Sequence, residues 1–335
     1  RELSIQELMV VTFTKAAAAE MKARIGVKLA EEFQATGDEY LEEQLNMLPS
    51  AHISTLHSFC QWVIRSYFYK LDIDPSFTIG NEGELALMRY DVLDKILLEA
   101  YEQGLYNIYD VSDMFSTERS DQVLRDTVFQ IYNFALAQSQ PMRWLDQVCT
   151  TYESASDQTL RETTWGELFW EEQQRQIEYL LERYEEAQRL ATLGNGFDKW
   201  MEKVSELQTL LQAMQKADTW NAMHVGVVGI GGFSFPVLRA TKAMNESDPA
   251  ILSEIKAILA EGKEILQAMP KGVFAITEAD WREQMEYLVP LVQGIIGLVK
   301  RFHTDFQQAK QEAGMIDFSD LEHLCLSLLV DPESR

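Results

Sequence analysis

The sequence predicts a mostly helical protein with a small α/β part, and three observations carry that reading. Apolar residues recur at three- and four-residue spacing along nearly the whole stretch from about residue 81 to 312, the period of amphipathic helices. Strand-like runs are confined to the N-terminal region, at Val10–Phe13 and His52–Leu56, and each leads directly into a helical pattern. Apolar residues make up 46% of the 335, yet no run approaches the roughly 18–20 that a membrane span needs. A chain this long accommodates two or three domain-sized units, because single cores stop growing near roughly 250–300 residues.

Taken in order, Val10–Phe13 reads as a buried strand and Thr14 as the N-cap of a helix reaching about Phe33. Met21, Ile25, Leu29 and Phe33 lie on one face of that helix, and the alanines at 16–19 keep its first turn slim. A polar loop is expected around Gly37–Asp38. His52–Leu56 alternates as a short strand, and from Ser58 two adjacent rows, Phe59/Val63/Tyr67 and Cys60/Ile64/Phe68, predict a deeply buried helix. Helices follow over Glu82–Gln103, Arg119–Ala137, Pro141–Glu153, Thr164–Leu193, Phe197–Ala217, Pro249–Met269 and Thr277–Ala313. The segment HVGVVGIGGFSFP at 224–236 breaks the pattern. Its glycines do not fit G-x-G-x-x-G, so it reads as a loop or short extended piece and not as a phosphate cradle. GMIDFSDLEHLCLSLL at 314–329 predicts a turn and a helix burying Leu321, Leu324, Cys325 and Leu328.

With 53 acidic against 29 basic residues the formal charge is −24, which as a whole repels nucleic acid. Between Val10 and Ala30, however, Lys15, Lys22, Arg24 and Lys28 face Glu20 alone, a local basic strip. The three cysteines, Cys60, Cys149 and Cys325, form no C-x-x-C pair and are odd in number, which argues against a disulfide framework or zinc module and fits a reducing cytoplasm. The chain opens at Arg1 without methionine or signal pattern and is expected to be part of a longer protein.

Candidate chemistry concentrates at strand-to-helix junctions. At Phe13-Thr14-Lys15, the unpaired N–H groups of a helix start, the Thr14 hydroxyl and the Lys15 ammonium can receive a phosphate, while Phe13 can stack on a base. The plainer alternative is a good alanine helix with Phe13 in the core. His57, flanked by Thr55 and Ser58, offers the same chemistry at a second junction, against the alternative of a capping or core histidine. Two such junctions on neighbouring parallel strands form one surface, because ligand sites of open α/β sheets lie beyond the strand C-termini. Asp317 and Asp320, spaced i,i+3, could be offered as a carboxylate pair or metal site, but read more simply as acids at a helix start with Ser319 or Asp317 as the N-cap, and His303 and His323 lack metal-ligand spacing. No Walker A pattern G-x-x-x-x-G-K-[ST] occurs.

The stretch VVTFTKAAAAEMKARI resembles motif Ia of the superfamily 1A (UvrD/Rep-like) DNA helicases, ISTLHSFC resembles their T-x-H-S motif, and IDFSDLE resembles the segment before the Walker B strand. The alanine run, the whole of ISTLHSFCQWVIRSYFYKLDIDPSF and the helical stretch are most similar to the AddA or RexA type of subunit of the bacterial ATP-dependent helicase/nucleases. The resemblance implies a partial RecA-like domain 1A at 1–80, a large all-helical insertion, 1B, at 81–312, and a return into domain 1A at 313–335. It further implies a single-stranded DNA track touched by Phe13, Thr14, Lys15, Thr55, His57 and Ser58. Lys15 stands where these helicases usually carry asparagine, so a cation replaces an amide at that contact. The longer protein would use ATP and Mg2+, pair with the B-type subunit of a helicase/nuclease heterodimer, and unwind and resect double-stranded DNA ends in recombinational repair in the bacterial cytoplasm. This chain by itself would hold no cofactor, metal or catalytic residue. From the residues alone, a rival reading is an acidic helical module that binds a protein partner and whose junctions are purely structural.

Overall fold

Thr12 and Thr55 stand opposite each other at the ends of two short parallel strands, and the N-terminal architecture follows from that register. The computed structural model describes residues 3–71, 73–74, 76–115, 120–235 and 239–330. The chain divides into two compact units, one of residues 1–146 and 294–335, the other of residues 147–293.

In the first unit, β1 (Met9–Thr12) leads into α1 (Lys15–Thr36), then α2 (Glu39–Met47), β2 (His52–Thr55) and α3 (Leu56–Tyr67). β1 and β2 pair in register from Met9 with His52 to Thr12 with Thr55. Helix α1 ends where Gly37 adopts φ +67°, a left-handed cap that a Cβ would strain, and the N–H of Gly37 donates to the Phe33 carbonyl. Ile25 and Leu29 of α1 pack on Ile5, Leu48, Ala51 and Ile53, whereas Met21 is exposed. The expected loop is the two-residue break Gly37–Asp38, and helix α2 starts directly after it, capped by Asp38, whose carboxylate accepts from the Tyr40 N–H. Helix α3 is buried on one face only: Cys60, Val63 and Ile64 are inside, while Tyr67 at its end and Phe68 just beyond it are exposed.

A second parallel pair joins distant parts of this unit. β3 (Thr78–Ile79) precedes α4 (Glu82–Gln103), α5 (Ile108–Phe115), α6 (Gln122–Leu136) and the start of α7 (Pro141–Asp157). Arg119, the expected start of α6, lies outside the described residues.

The second unit holds the rest of α7, α8 (Thr164–Ala191), α9 (Asp198–Gln215), α10 (Trp220–Gly231), the short α11 (Lys242–Asn245), α12 (Pro249–Ala268) and the first part of α13 (Glu278–Glu312). Its core packs α8, α9, α10 and α12 around Ile177, Leu180, Tyr184, Leu211, Trp220, Val227 and Ile255. Trp220 stacks on Phe274 with centroids 4.1 Å apart and donates its indole N–H to the Ile276 carbonyl at 3.0 Å. The expectation of a loop across 224–236 is corrected here: residues 224–231 are the body of α10, capped by Thr219, and Pro236 lies outside the described residues. The glycines serve packing, because a Cβ on Gly226 would collide with Met214 on α9.

The chain then returns to the first unit through the later part of α13, β4 (Met315–Ile316) and α14 (Phe318–Leu329). β4 pairs in parallel with β3, Thr78 with Met315 and Ile79 with Ile316. Helix α14 packs on α3, burying Leu321 and Cys325 against Cys60, Val63, Ile64 and Phe77. The ends of the compact units therefore fall at 146/147 and 293/294. The reason is packing: Phe129 and Tyr132 of α6 meet Phe302 of α13 at 5.4 and 5.0 Å, which ties α6 to the C-terminal part of α13.

Candidate nucleic-acid interface

Both strand-to-helix junctions open at one end of the β1–β2 pair, because the strands are parallel and stop in register. At the first, Thr14 is an extended N-cap whose Oγ1 accepts from the Ala17 N–H at 3.1 Å. Among the described residues the N–H groups of Lys15 and Ala16 have no acceptor within the chain, the normal condition of a helix start open to an anion. Phe13 stands one residue before the cap and is wholly exposed, with a relative accessibility of 103%, so its ring belongs to no core. Ala16 and Ala17 beside it are exposed, and only Ala18 is buried.

The basic strip is narrower than the sequence count. Arg24 pairs with Glu20 and Lys28 with Glu31, both at 2.5 Å, while Lys22 donates to the neutral Pro49 carbonyl at 2.6 Å. Lys15 makes no ion pair among the described residues, and Lys22, seven positions on, shares its helix face. Two cations, not four, are left for a polyanion.

At the second junction Thr55 caps α3, accepting from the Ser58 N–H at 3.2 Å and sharing a 2.8 Å hydrogen bond with the Ser58 hydroxyl. Thr14, Thr55 and Ser58 are thus helix-start residues first, Thr14 exposed and Thr55 and Ser58 half-buried. His57 is half-buried, and its Nε2 lies 3.2 Å from Glu322 Oε1 of α14. With the proton on Nε2 it donates to that carboxylate and presents Nδ1 as an acceptor.

Phe318, which pattern reading missed, joins this surface. It is the first residue of α14, 51% exposed, and its ring centroid lies 4.8 Å from that of His57. Periodicity hides it, because position 318 shares the helical stripe of Leu321 and Cys325 and would be read as core. It is exposed because the stripe runs past the end of the core at the helix start.

Of the two N-cap candidates the structure uses Asp317, not Ser319, in a reciprocal box with Asp320, and both acids are also partners of a lysine. Asp317 Oδ1 accepts from the Asp320 N–H at 2.9 Å and Asp320 Oδ2 from the Asp317 N–H at 2.8 Å. Lys310, 1% exposed, donates to Asp317 Oδ2 at 2.8 Å and Asp320 Oδ2 at 2.6 Å. Burial alone would raise the Asp317 carboxyl, but the Lys310 charge and hydrogen bond with the Asp320 N–H outweigh it and hold the group below the ordinary carboxylate range. His303, beside this network, is pushed below the usual imidazole range by burial first and by Lys310 second. Among the described residues no group of three His, Cys, Asp or Glu side chains could hold a metal ion, and no helix is long and apolar enough to cross a membrane.

The family model of the UvrD/REP helicase N-terminal domain matches residues 1–276. Among curated proteins, the A-type subunit of the ATP-dependent helicase/nuclease of Geobacillus kaustophilus (strain HTA426) is 33% identical over 338 residues, covering 99% of this chain and 27% of that protein. The proteins of the same description from Geobacillus thermodenitrificans (strain NG80-2) and Moorella thermoacetica (strain ATCC 39073 / JCM 9320) are both 34% identical over 339 residues, covering 99% and 98% of this chain. The chain spans 27% and 23% of those two relatives, about a quarter of their length. The family match covers well over half of the chain, ending just before α13, and the chain belongs to the UvrD/REP helicase N-terminal domain family.

Proposed function

We propose that this chain is the part of an ATP-dependent DNA helicase/nuclease subunit that forms one wall of a single-stranded DNA track. The observation that carries the reading is the wholly exposed Phe13, set beside a helix start with free N–H groups and in register with a second such start bearing His57. Phe13 stacks on a base, while the N–H groups of Lys15 and Ala16 and the Lys15 ammonium take the adjacent phosphate. Thr14, Thr55 and Ser58 line the floor, and His57 with Phe318 offers a second ring platform. On this reading residues 1–80 and 313–335 are pieces of a RecA-like domain 1A, and 81–312 is its helical 1B insertion.

The longer protein would work with ATP and Mg2+ beside the B-type subunit of the heterodimer, unwinding and resecting duplex ends in a bacterial cytoplasm. The sequence carries no G-x-x-x-x-G-K-[ST] loop, and on this reading the chain is assigned no step of nucleotide hydrolysis. The formal charge of −24 is compatible with a narrow track, because stacking and one or two phosphate contacts do not require a broad basic face.

Fluorescence anisotropy of a labelled oligo-dT of about 15 nucleotides, a length suited to single-strand sites, tests the reading. Binding should weaken with salt at a log–log slope of about −0.7 to −1.4, the value for one or two phosphates on a single strand. Added ATP and Mg2+ should leave it unchanged. Absence of binding at low salt would favour the rival protein-interaction module.

A further inference from the structure

We propose that Lys310 is a positioning residue that holds Phe318 against His57 and so sets the second ring platform of the DNA-facing surface. The proposal rests on the single-stranded DNA reading for its consequence, but its geometry stands without DNA.

The polar network at the start of α14 is saturated. Asp317 Oδ1 accepts from the Asp320 N–H and Asp317 Oδ2 from Lys310; Asp320 Oδ2 accepts from Lys310 and from the Asp317 N–H. The remaining oxygen, Asp320 Oδ1, accepts from Gln307 Nε2 at 2.7 Å. Lys310 Nζ also lies 4.5 Å from the centroid of the Phe306 ring, so both its carboxylate partners and its aromatic neighbour are spoken for. A helix start needs only the two reciprocal cap bonds, each of which spans Asp317 and Asp320. The triad as a whole adds little net stability over a set of apolar residues, because the desolvation of three charges opposes their attraction, whereas loss of the ammonium alone leaves two buried carboxylates uncompensated. What the triad adds is a fixed orientation, since the hydrogen bonds are satisfied together in one placement of α14 relative to the C-terminal part of α13.

The residue enclosed by that cap is Phe318, which lies between Asp317 and Ser319 at the first helical position. Its ring leaves the network and meets the His57 imidazole at 4.8 Å, beside Glu322 of the next turn. Fixing the cap therefore fixes the ring. If Lys310 is removed, two buried carboxylates face each other without their shared cation, the cap opens, and Phe318 loses its preferred direction before the more distant Leu321 and Cys325 leave the core.

The test uses the whole chain with its histidines isotopically labelled, five in number, and reads the His57 imidazole resonances by NMR without DNA. Phe318→Leu identifies the part of the His57 shift that comes from the aromatic ring. Lys310→Met should move His57 to the Phe318→Leu position while the melting transition stays cooperative. Unchanged His57 resonances would overturn the proposal. If Lys310→Met does not fold, Asp320→Asn keeps the Lys310–Asp317 pair and a balanced charge while removing one acceptor. It should then move His57 part of the way, and no movement again overturns the proposal.

In oligo-dT binding, Phe318→Leu should cost about 5-fold, the lower end of one lost base stack. Lys310→Met should cost the same, and the double variant no more than Phe318→Leu alone, whereas Lys310→Met with Phe13→Ala should be additive. If His57 shifts as expected but the wild-type chain binds no DNA, the DNA reading falls and the positioning stands. If DNA binds but His57 ignores Lys310→Met, the positioning falls and the DNA reading stands.

Discussion

Replacing Phe13 by alanine should separate binding from folding cleanly, because a side chain with 103% relative accessibility gives up no packing when truncated. Stability should therefore stay within about 0.5 kcal/mol of the parent, as for surface substitutions that touch nothing. A lost base–aromatic stack is worth about 1–3 kcal/mol, which at about 1.4 kcal/mol per decade corresponds to about 5- to 150-fold weaker binding. Phe13→Trp, which keeps a stacking face, should bind at least as well as Phe13 itself. The assay pairs oligo-dT anisotropy at low salt with thermal melts followed by circular dichroism. A marked drop in melting temperature for Phe13→Ala would refute this, since the ring would then belong to the fold. An unchanged affinity, while wild type binds, would refute it equally.

Other consequences follow from packing and burial. His303 is neutral in the fold and titrates below its ordinary value of about 6.5, so stability is complete above that value and is lost as pH falls through it toward the lowered value. Asp317, also depressed, adds a second loss below about 3.8, and His303→Gln should flatten only the upper step in melts between pH 8 and pH 3. Gly226→Ala should destabilise the second unit by about 1–3 kcal/mol through its collision with Met214. By contrast, Gly229→Ala, whose Cβ would meet Leu210 at an ordinary 3.9 Å, should be neutral or stabilising by about 0.5–1 kcal/mol in the same denaturant titration. Cys325 is pushed up to about 12 by burial and by its contact with Cys60, so both thiols should react with a disulfide reagent at pH 8 only after unfolding.

Where a residue's environment is local, the sequence was a good guide. Glu82–Gln103 was legible to the residue, because an asparagine cap, a 22-residue amphipathic pattern and a terminal glycine at φ +66° all agree on one helix. The cap role of Thr14 followed from a hydroxyl placed just before apolar periodicity, whereas Thr55 read as part of the strand and its capping of a helix that starts at Leu56 did not. Helix α10 was illegible because its glycines at 226, 229 and 231 weaken helical propensity, and the compensation, close approach of α9 at Gly226, is a tertiary fact. Strands β3 and β4, two residues each, are too short for any period to register and exist because residues more than 230 positions apart meet. Of the candidate site, Phe13 and His57 could be named from the sequence, but Phe13's exposure could not. Lys310 on a helix reads as a solvated cation, and only its neighbours Asp317 and Asp320 reveal otherwise.

The most direct measurement of the DNA track is photo-crosslinking of the chain to an oligo-dT carrying 5-iododeoxyuridine, followed by identification of the linked peptides by mass spectrometry. Adducts are expected in the peptides containing Phe13, His57 and Phe318, reduced by added salt and by unlabelled oligonucleotide. Adducts confined to the helices of residues 147–293, or spread evenly over the chain and indifferent to competitor, would contradict the DNA track.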